Sequence, residues 1–163
     1  MNITPWREAQ PDFPPEVIGQ VLSTYYGGRA EVRIRREITP VIHCDFLSMY
    51  PTVCTLMGLW RFVIAEGVRQ VDATDEVRRF VETCTLDVLR RRETWPALTC
   101  IVQVRPNRDI LPVRAVYGGG ESASIGVNYF TADEPMWFTL ADVLAATISV
   151  SPLRAPSCNV HVS

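Results

Sequence analysis

The sequence predicts an α+β domain, an antiparallel-rich sheet with helices packed on one side. Three observations predict it. Residues 29–35 alternate in period two, with Ala30, Val32 and Ile34 on one face and Arg29, Glu31, Arg33 and Arg35 on the other, the pattern of a half-buried strand. Val77, Phe80, Val81, Cys84 and Val88 recur at spacings of three and four, which is the apolar stripe of an amphipathic helix. The runs "LTCIVQV" and "ILPVRAVY" flank "RPNRD" and read as two strands of a hairpin joined by a turn. In chain order this gives strands, helix, hairpin and helix, which fits α+β layering.

Each element follows in order. Residues 1–16 form an irregular lead-in, rich in proline. Val17 to Ser23 is a short apolar stretch, either a strand or a helical turn. The alternating strand starts after Gly27-Gly28 and places arginines in line on its outer face. "EITP" turns the chain, and Val41 to Asp45 lacks alternation, as expected of a strand central in a sheet. His43 is then a core histidine bonded to backbone rather than a ligand. Pro51 suits the first position of a short buried helix, "TVCTLMGLW", because its missing N–H costs nothing there. The long helix "VDATDEVRRFVETCTLDVLRRRE" is capped by Thr74 or Asp75, and Arg90 to Arg92 suit its C-terminal end. Pro96 ends that region, and Pro112 places the second hairpin strand at an edge. "YGGGESASIG" reads as a loop, and "TADEPMWFTLADVLAATI" as a second helix with Thr131 and Glu134 spaced as a capping box. The domain spans residues 17–149, and an unpatterned tail fills residues 150–163.

Bulk properties narrow the class. A chain of 163 residues with 47% hydrophobic content is expected to form one domain with a real core. No apolar run approaches a membrane span, and no secretion signal is expected from "MNITPWREAQPDFPP". The five cysteines are scattered without a C-x-x-C pair, which argues against zinc and disulfides and for a cytoplasmic setting. All 16 basic residues are arginine, and the formal charge is −2, so charge alone does not mark a nucleic-acid binder. Oligomeric state is left open.

The stretch "VIHCDFLSMYPTV" carries the chemistry. A carboxylate at the end of a strand is pinned at the rim of a sheet, and hard cations such as magnesium are held by one or two carboxylates together with substrate phosphates. Asp45 supplies one such group, and the carbonyl of Phe46 a further oxygen. Backbone N–H groups from Leu47 through Ser48 and Met49 to Tyr50 approach a helix start, a natural cradle for a triphosphate. Tyr50 precedes a proline and is biased away from helical geometry, so its ring can form a wall under a nucleotide sugar and select deoxynucleotides. The plainer reading, a strand-ending aspartate followed by an ordinary turn, fits the local pattern as well.

The wider pattern adds a resemblance. "DFLSMYPT" resembles the first carboxylate motif of B-family DNA polymerases, D-x-x-S-L-Y-P, with Met49 where leucine is usual. Twenty residues upstream, "YYGG" is similar to that family's Y-x-G-G signature. The resemblance implies part of a polymerase palm acting on deoxynucleoside triphosphates and a DNA primer-template with magnesium by a two-metal mechanism. It implies Asp45 as the catalytic metal ligand with the Phe46 carbonyl, Leu47, Ser48 and Met49 along the triphosphate, and Tyr50 as the sugar-selecting ring. It also implies template contact by Tyr25, Tyr26, Gly27 and Gly28, with Arg29, Arg33 and Arg35 pairing with phosphates; a solvated strand face is the other reading of those arginines.

The resemblance covers residues 25 to about 60. The family's fingers motif, K-x-x-x-N-S-x-Y-G, has no counterpart in a chain without lysine. Its second carboxylate motif, Y-x-D-T-D, has only "VDATD" as a lookalike, and Asp72 to Asp75 read better as a helix start. The expectation is therefore a piece of a polymerase, inactive alone, whose tail marks a truncation or frame shift. The alternative is a non-enzymatic module that binds nucleic acid or protein through the arginine-lined strand. "YGGGES" fits neither phosphate-loop nor dinucleotide spacing, "SMYPT" is not a nucleophile elbow, and Trp60, Trp95 and Trp137 suit core or interface positions.

Overall fold

Among the described residues the four strands fall between Ile101 and Thr139 and form two two-stranded antiparallel sheets, which follow one another along a two-armed ribbon. The structure is a computed structural model that describes residues 13–27, 34–116 and 123–149. Strand β1 (Ile101–Val104) pairs with β4 (Met136–Thr139), and β2 (Asn107–Val116) pairs with β3 (Ala123–Thr131). "LTCIVQV" and "ILPVRAVY" therefore do not pair with each other, as the hairpin reading expects. They run on, one after the other, along the outgoing arm. Pro106 lacks an N–H and cannot extend a ladder, and its carbonyl accepts from Ala132 N–H at 3.1 Å. The next residues carry a β-bulge, where Arg108 takes a left-handed φ of 62° and donates its N–H to Thr131 Oγ1 at 3.0 Å. "RPNRD" is thus a kink in one arm rather than a turn between two.

The returning arm corrects two further expectations. Ala123 to Gly126 belong to β3, not to a loop, while Tyr117 to Ser122 lie outside the described residues. The helix expected over 131–148 begins only at Leu140, because Met136–Thr139 is strand. Its start is fixed by Thr139, whose Oγ1 accepts the Asp142 N–H at 3.2 Å and donates to Asp142 Oδ2 at 2.7 Å.

Around the ribbon lie α1 (Pro15–Ser23), α2 (Met49–Leu56), α3 (Trp60–Val63), α4 (Thr74–Thr83), α5 (Leu86–Leu89), a 3₁₀ helix (Arg92–Leu98) and α6 (Leu140–Ser149). The stretch from Val17 to Ser23 is helical, with Pro15 in its first turn. The single long helix expected after Val71 is two helices: Cys84 turns extended, and Thr85 Oγ1 caps α5 by accepting Val88 N–H at 3.4 Å. The start of α4 is held by Asp72, whose Oδ1 accepts Thr74 N–H at 2.9 Å and Thr74 Oγ1–H at 2.7 Å.

The core lies where α6 crosses the base of the ribbon. Val102, Val104, Leu111 and Phe138 come from the strands, Leu140, Val143, Leu144 and Ala146 from α6, Val77 and Val81 from α4, and Leu98 from the 3₁₀ helix. Each of these side chains larger than alanine contributes roughly 1.5–3 kcal/mol on burial. Phe80 and Cys84 pack against this cluster, so the apolar face of α4 is the one its periodicity predicts. Trp95 packs there too, with Nε1 donating to Leu89 O at 3.1 Å, whereas Trp60 is exposed.

Of the two N-terminal strands expected, the second is a correction, and the first is covered by the described residues only at its end. Gly28 to Arg33, with most of the alternating run, lie outside the described residues. Ile34 and Arg35 are exposed and belong to no strand. Val41 to Asp45 is also exposed and unpaired rather than central, and His43 is a surface residue, not a core one. The physical reason is that β-propensity expresses fit to cross-strand neighbours. The described strands pair two by two within the ribbon, and none of them partners residues 41–45.

Candidate nucleotide and DNA-contact segments

The two motif segments are anchored by different parts of the fold. The first follows α1. Thr24 is buried and donates Oγ1–H to Val21 O at 2.8 Å, and Tyr25 N–H closes on Leu22 O at 3.1 Å. The chain then turns through Gly27, whose φ of +78° lies in the left-handed region open to glycine. Tyr25 is exposed, but Tyr26 is half-buried, its ring stacked on Phe138 with centroids 5.8 Å apart. Arg114 of β2 donates Nη2–H to Tyr25 O at 2.6 Å, and its guanidinium carbon lies 5.8 Å from the Tyr26 ring centroid.

Tyr26 is also a group whose ionisation the fold perturbs. Burial raises its pKa above the usual tyrosine value, the nearby Asp142 carboxylate raises it further, and Arg114 opposes both. Each follows from the cost of a phenolate in that setting: loss of hydration and a like charge disfavour it, and a cation favours it. The tyrosine therefore keeps its proton at neutral pH. Of the other predicted DNA-contacting residues, Arg35 is exposed, and Gly28, Arg29 and Arg33 lie outside the described residues.

The second segment leads into α2. Asp45, Phe46, Leu47, Ser48, Met49 and Tyr50 are all exposed. The Asp45 carboxylate is thus open to solvent, three residues ahead of a helix N-cap. That cap is Ser48, with a left-handed φ of 56° and no side-chain capping bond. A non-glycine residue in that conformation costs roughly 1–2 kcal/mol, and strained residues of this kind cluster at ligand sites.

The helix start differs from expectation in two ways. Pro51 occupies the third helical position, not the first, and Tyr50 lies within α2 rather than outside helical geometry. The first turn has no intrahelical acceptor for its N–H groups, so proline is tolerated throughout it. The Met49 N–H donates to Phe46 O at 3.2 Å, so that amide closes a local turn instead of joining a cradle. The C-terminal end of α2 is tied to the core side, where Thr99 Oγ1 donates to Met57 O at 2.7 Å and Met57 packs against the buried cluster.

The donor set is at most part of a magnesium site, because Asp45 stands on a segment in no strand rather than at a sheet rim, and the Phe46 carbonyl already accepts the Met49 N–H. One solvent-open carboxylate and an adjacent carbonyl match an ion shared with a triphosphate. They do not match two ions held by protein, and among the described residues no group of three or more His, Cys, Asp or Glu side chains is placed to share a metal. Sequence reasoning missed Arg114, Phe138 and Asp142. Asp142 had a signal, since Thr139-Leu140-Ala141-Asp142 has the spacing of a capping box; Arg114 had none. Among the described residues no helix is long and apolar enough to cross a membrane. Comparison with protein-family models, with curated proteins and with solved structures gives no match to this chain.

Proposed function

We propose that this chain carries part of the palm of a B-family DNA polymerase, with the Asp45–Tyr50 segment facing a magnesium-bound deoxynucleoside triphosphate and the Tyr25–Gly28 segment facing template DNA. The observation that carries the reading is the ordered pair "YYGG" and "DFLSMYPT", twenty residues apart. The geometry supports it at two points: Asp45 is open to solvent ahead of α2, and the Tyr50 ring stands exposed on the first turn of that helix.

In this reading Asp45 contributes one oxygen donor group to an ion that also grips the triphosphate, and the Phe46 carbonyl stands beside it. Magnesium supplies charge neutralisation at the transferring phosphoryl group when bound. The chain's own part is to present the carboxylate, to orient the sugar against Tyr50 and to hold the template at the Tyr25–Gly28 segment. The donor set supports nucleotide binding, and no transfer step is assigned to this chain alone.

Calorimetric titration with Mg²⁺–dATP and Mg²⁺–ATP tests the reading. The expected result is magnesium-dependent binding by the wild-type chain, loss of it in Asp45→Asn, and loss of the preference for dATP in Tyr50→Ala. Equal affinity of wild type and Asp45→Asn, or no magnesium-dependent binding by either, overturns it. DNA binding that needs Arg33 and Arg35 but not Asp45, with a salt slope that those substitutions flatten, would make the chain a metal-independent binding module instead.

A further inference from the structure

We propose that Arg114 and Ile125 are positioning residues that seat the Tyr25–Gly27 turn on the ribbon and so fix the orientation in which that turn meets DNA. The identity of the ligand rests on the polymerase reading above; the seat rests on geometry alone.

Arg114 and Ile125 are direct cross-strand partners in the register of β2 and β3. Each addresses a different residue of the same turn. Arg114 holds the Tyr25 carbonyl through Nη2 at 2.6 Å and lies over the Tyr26 ring. Ile125 flanks Gly27, its Cδ1 standing 3.6 Å from where a Cβ added at that glycine would lie. Phe138, fully buried, fixes the Tyr26 ring by stacking on it.

The turn is therefore held at two successive residues, by a carbonyl bond and a stacked ring, with Ile125 flanking the third. Its one large side chain left in solvent is Tyr25. A short arginine-to-carbonyl bond at its start sets which way the Tyr25 ring projects. Arg114 stands on a strand rather than on either motif, so its part is to act through the Tyr25 carbonyl.

The test uses the full chain, a fluorescein-labelled primer-template with a single-stranded template overhang, and three variants: Arg114→Met, Ile125→Ala and Tyr25→Ala. Arg114→Met is expected to weaken binding by about tenfold, the size of one lost charge-assisted hydrogen bond. The slope of log affinity against log salt is expected to stay at the wild-type value, whereas loss of a phosphate contact would reduce it by about 1. Ile125→Ala, which changes no charge, is expected to weaken binding in the same direction.

A second readout needs no DNA. Spectrophotometric titration of Tyr26, isolated by difference against Tyr26→Phe, should move to higher pH in Arg114→Met, because the cation that favours the phenolate is gone. Amide exchange at residues 25–27 should also quicken. If Tyr25→Ala weakens binding while Arg114→Met changes neither binding, Tyr26 titration nor exchange, the seat is refuted and the polymerase reading stands. If the wild-type chain does not bind the primer-template, the DNA reading fails, and titration and exchange alone decide whether Arg114 seats the turn. A salt slope reduced in Arg114→Met, with exchange unchanged, makes Arg114 a phosphate contact and overturns the proposal.

Discussion

The Tyr26 and Phe138 rings lie 8° from parallel with their centroids 5.8 Å apart, so a residue of the Y-x-G-G-like segment is packed onto a fully buried strand residue more than a hundred positions later in the chain. Parallel rings at that separation are offset-stacked, an arrangement worth about 0.5–1.5 kcal/mol beyond area burial. Phe138 is also a fully buried member of the core and the cross-strand partner of Val102. Phe138→Ala is therefore expected to lower stability by about 3–5 kcal/mol, read as a shift in urea midpoint. A double-mutant cycle of Tyr26→Leu with Phe138→Leu should leave a coupling of about 0.5–1.5 kcal/mol; strictly additive effects would mean the two rings do not support each other.

The start of α6 gives a second prediction. Thr139 Oγ1 accepts the Asp142 N–H and donates to the Asp142 carboxylate, and Asp142 is buried. Thr139→Ala removes a helix cap and one hydrogen-bond donor to a buried acid, for a loss of about 1–2 kcal/mol. Thr139→Ser keeps the hydroxyl and is expected to stay within about 0.5 kcal/mol of wild type. Thermal melts of the two variants check this, and equal melting temperatures would assign the cap elsewhere.

Two glycines predict opposite signs. Gly19 lies inside α1 with no atom near an added Cβ, so Gly19→Ala should stabilise by about 0.5–1 kcal/mol through helix propensity. Gly27 has φ +78°, and a side chain there meets strain of about 1–2 kcal/mol whatever the space around it. Gly27→Ala should therefore destabilise. Chemical denaturation of both variants, side by side, tests the assignment of the turn.

How much of this was legible in the sequence varies element by element. The buried face of α4 was readable because Val77, Phe80, Val81 and Cys84 repeat with the helix period, and that period depends on neighbours along the chain. The strands of the ribbon were readable as strands, but their pairing was not. A short turn at "RPNRD" is the simpler local closure, and only the non-local match of β1 with β4 and of β2 with β3 replaces it with a kink. Thr131 and Thr139 each stand three residues before an acid; burial of Phe138 makes residues 136–139 a strand and leaves Thr139 as the cap. Val41 to Asp45 has the composition of a strand and lacks a partner. In the candidate site, the motif residues were visible because their spacing is contiguous. Arg114 was not, because one arginine on the exposed face of a strand looks like any other until Tyr25 is found against it.

Alkaline pH should weaken the fold through the same region. The folded-state pKa of Tyr26 is raised, by burial first and then by Asp142, and burial raises Cys84 and Cys100 as well. A raised pKa on a group that becomes an anion means the folded state holds the proton more tightly than the unfolded state. The stabilisation is then fully present below the unfolded-state value and is lost as pH rises through the folded-state value. For the two thiols the loss begins near their unfolded value of about 8.5, and for Tyr26 near about 10. Denaturation midpoints measured from neutral pH upward should fall across that window. Tyr26→Phe should remove the upper part of the decline and leave the thiol part; an unchanged profile in that variant would show that Tyr26 ionises freely in the folded state.

The last prediction concerns turnover. Two-metal phosphoryl transfer holds its ions about 3.5–4 Å apart and bridges the attacking and leaving oxygens between them. In the polymerase reading Asp45 would offer one carboxylate to such a site, and Asp72, the nearest lookalike for a second, has its Oδ1 engaged by Thr74 at the start of α4. The chain also has no lysine to grip a triphosphate. Incubated with a labelled primer-template, all four deoxynucleoside triphosphates and magnesium, the 163-residue chain is expected to leave the primer at its starting length. Supplying manganese in place of magnesium should not change that result, because a missing ligand set is not restored by a more tightly bound ion. Extension that disappears in Asp45→Asn would mean that a second carboxylate reaches Asp45, and the division of labour drawn here between binding and transfer would have to be abandoned.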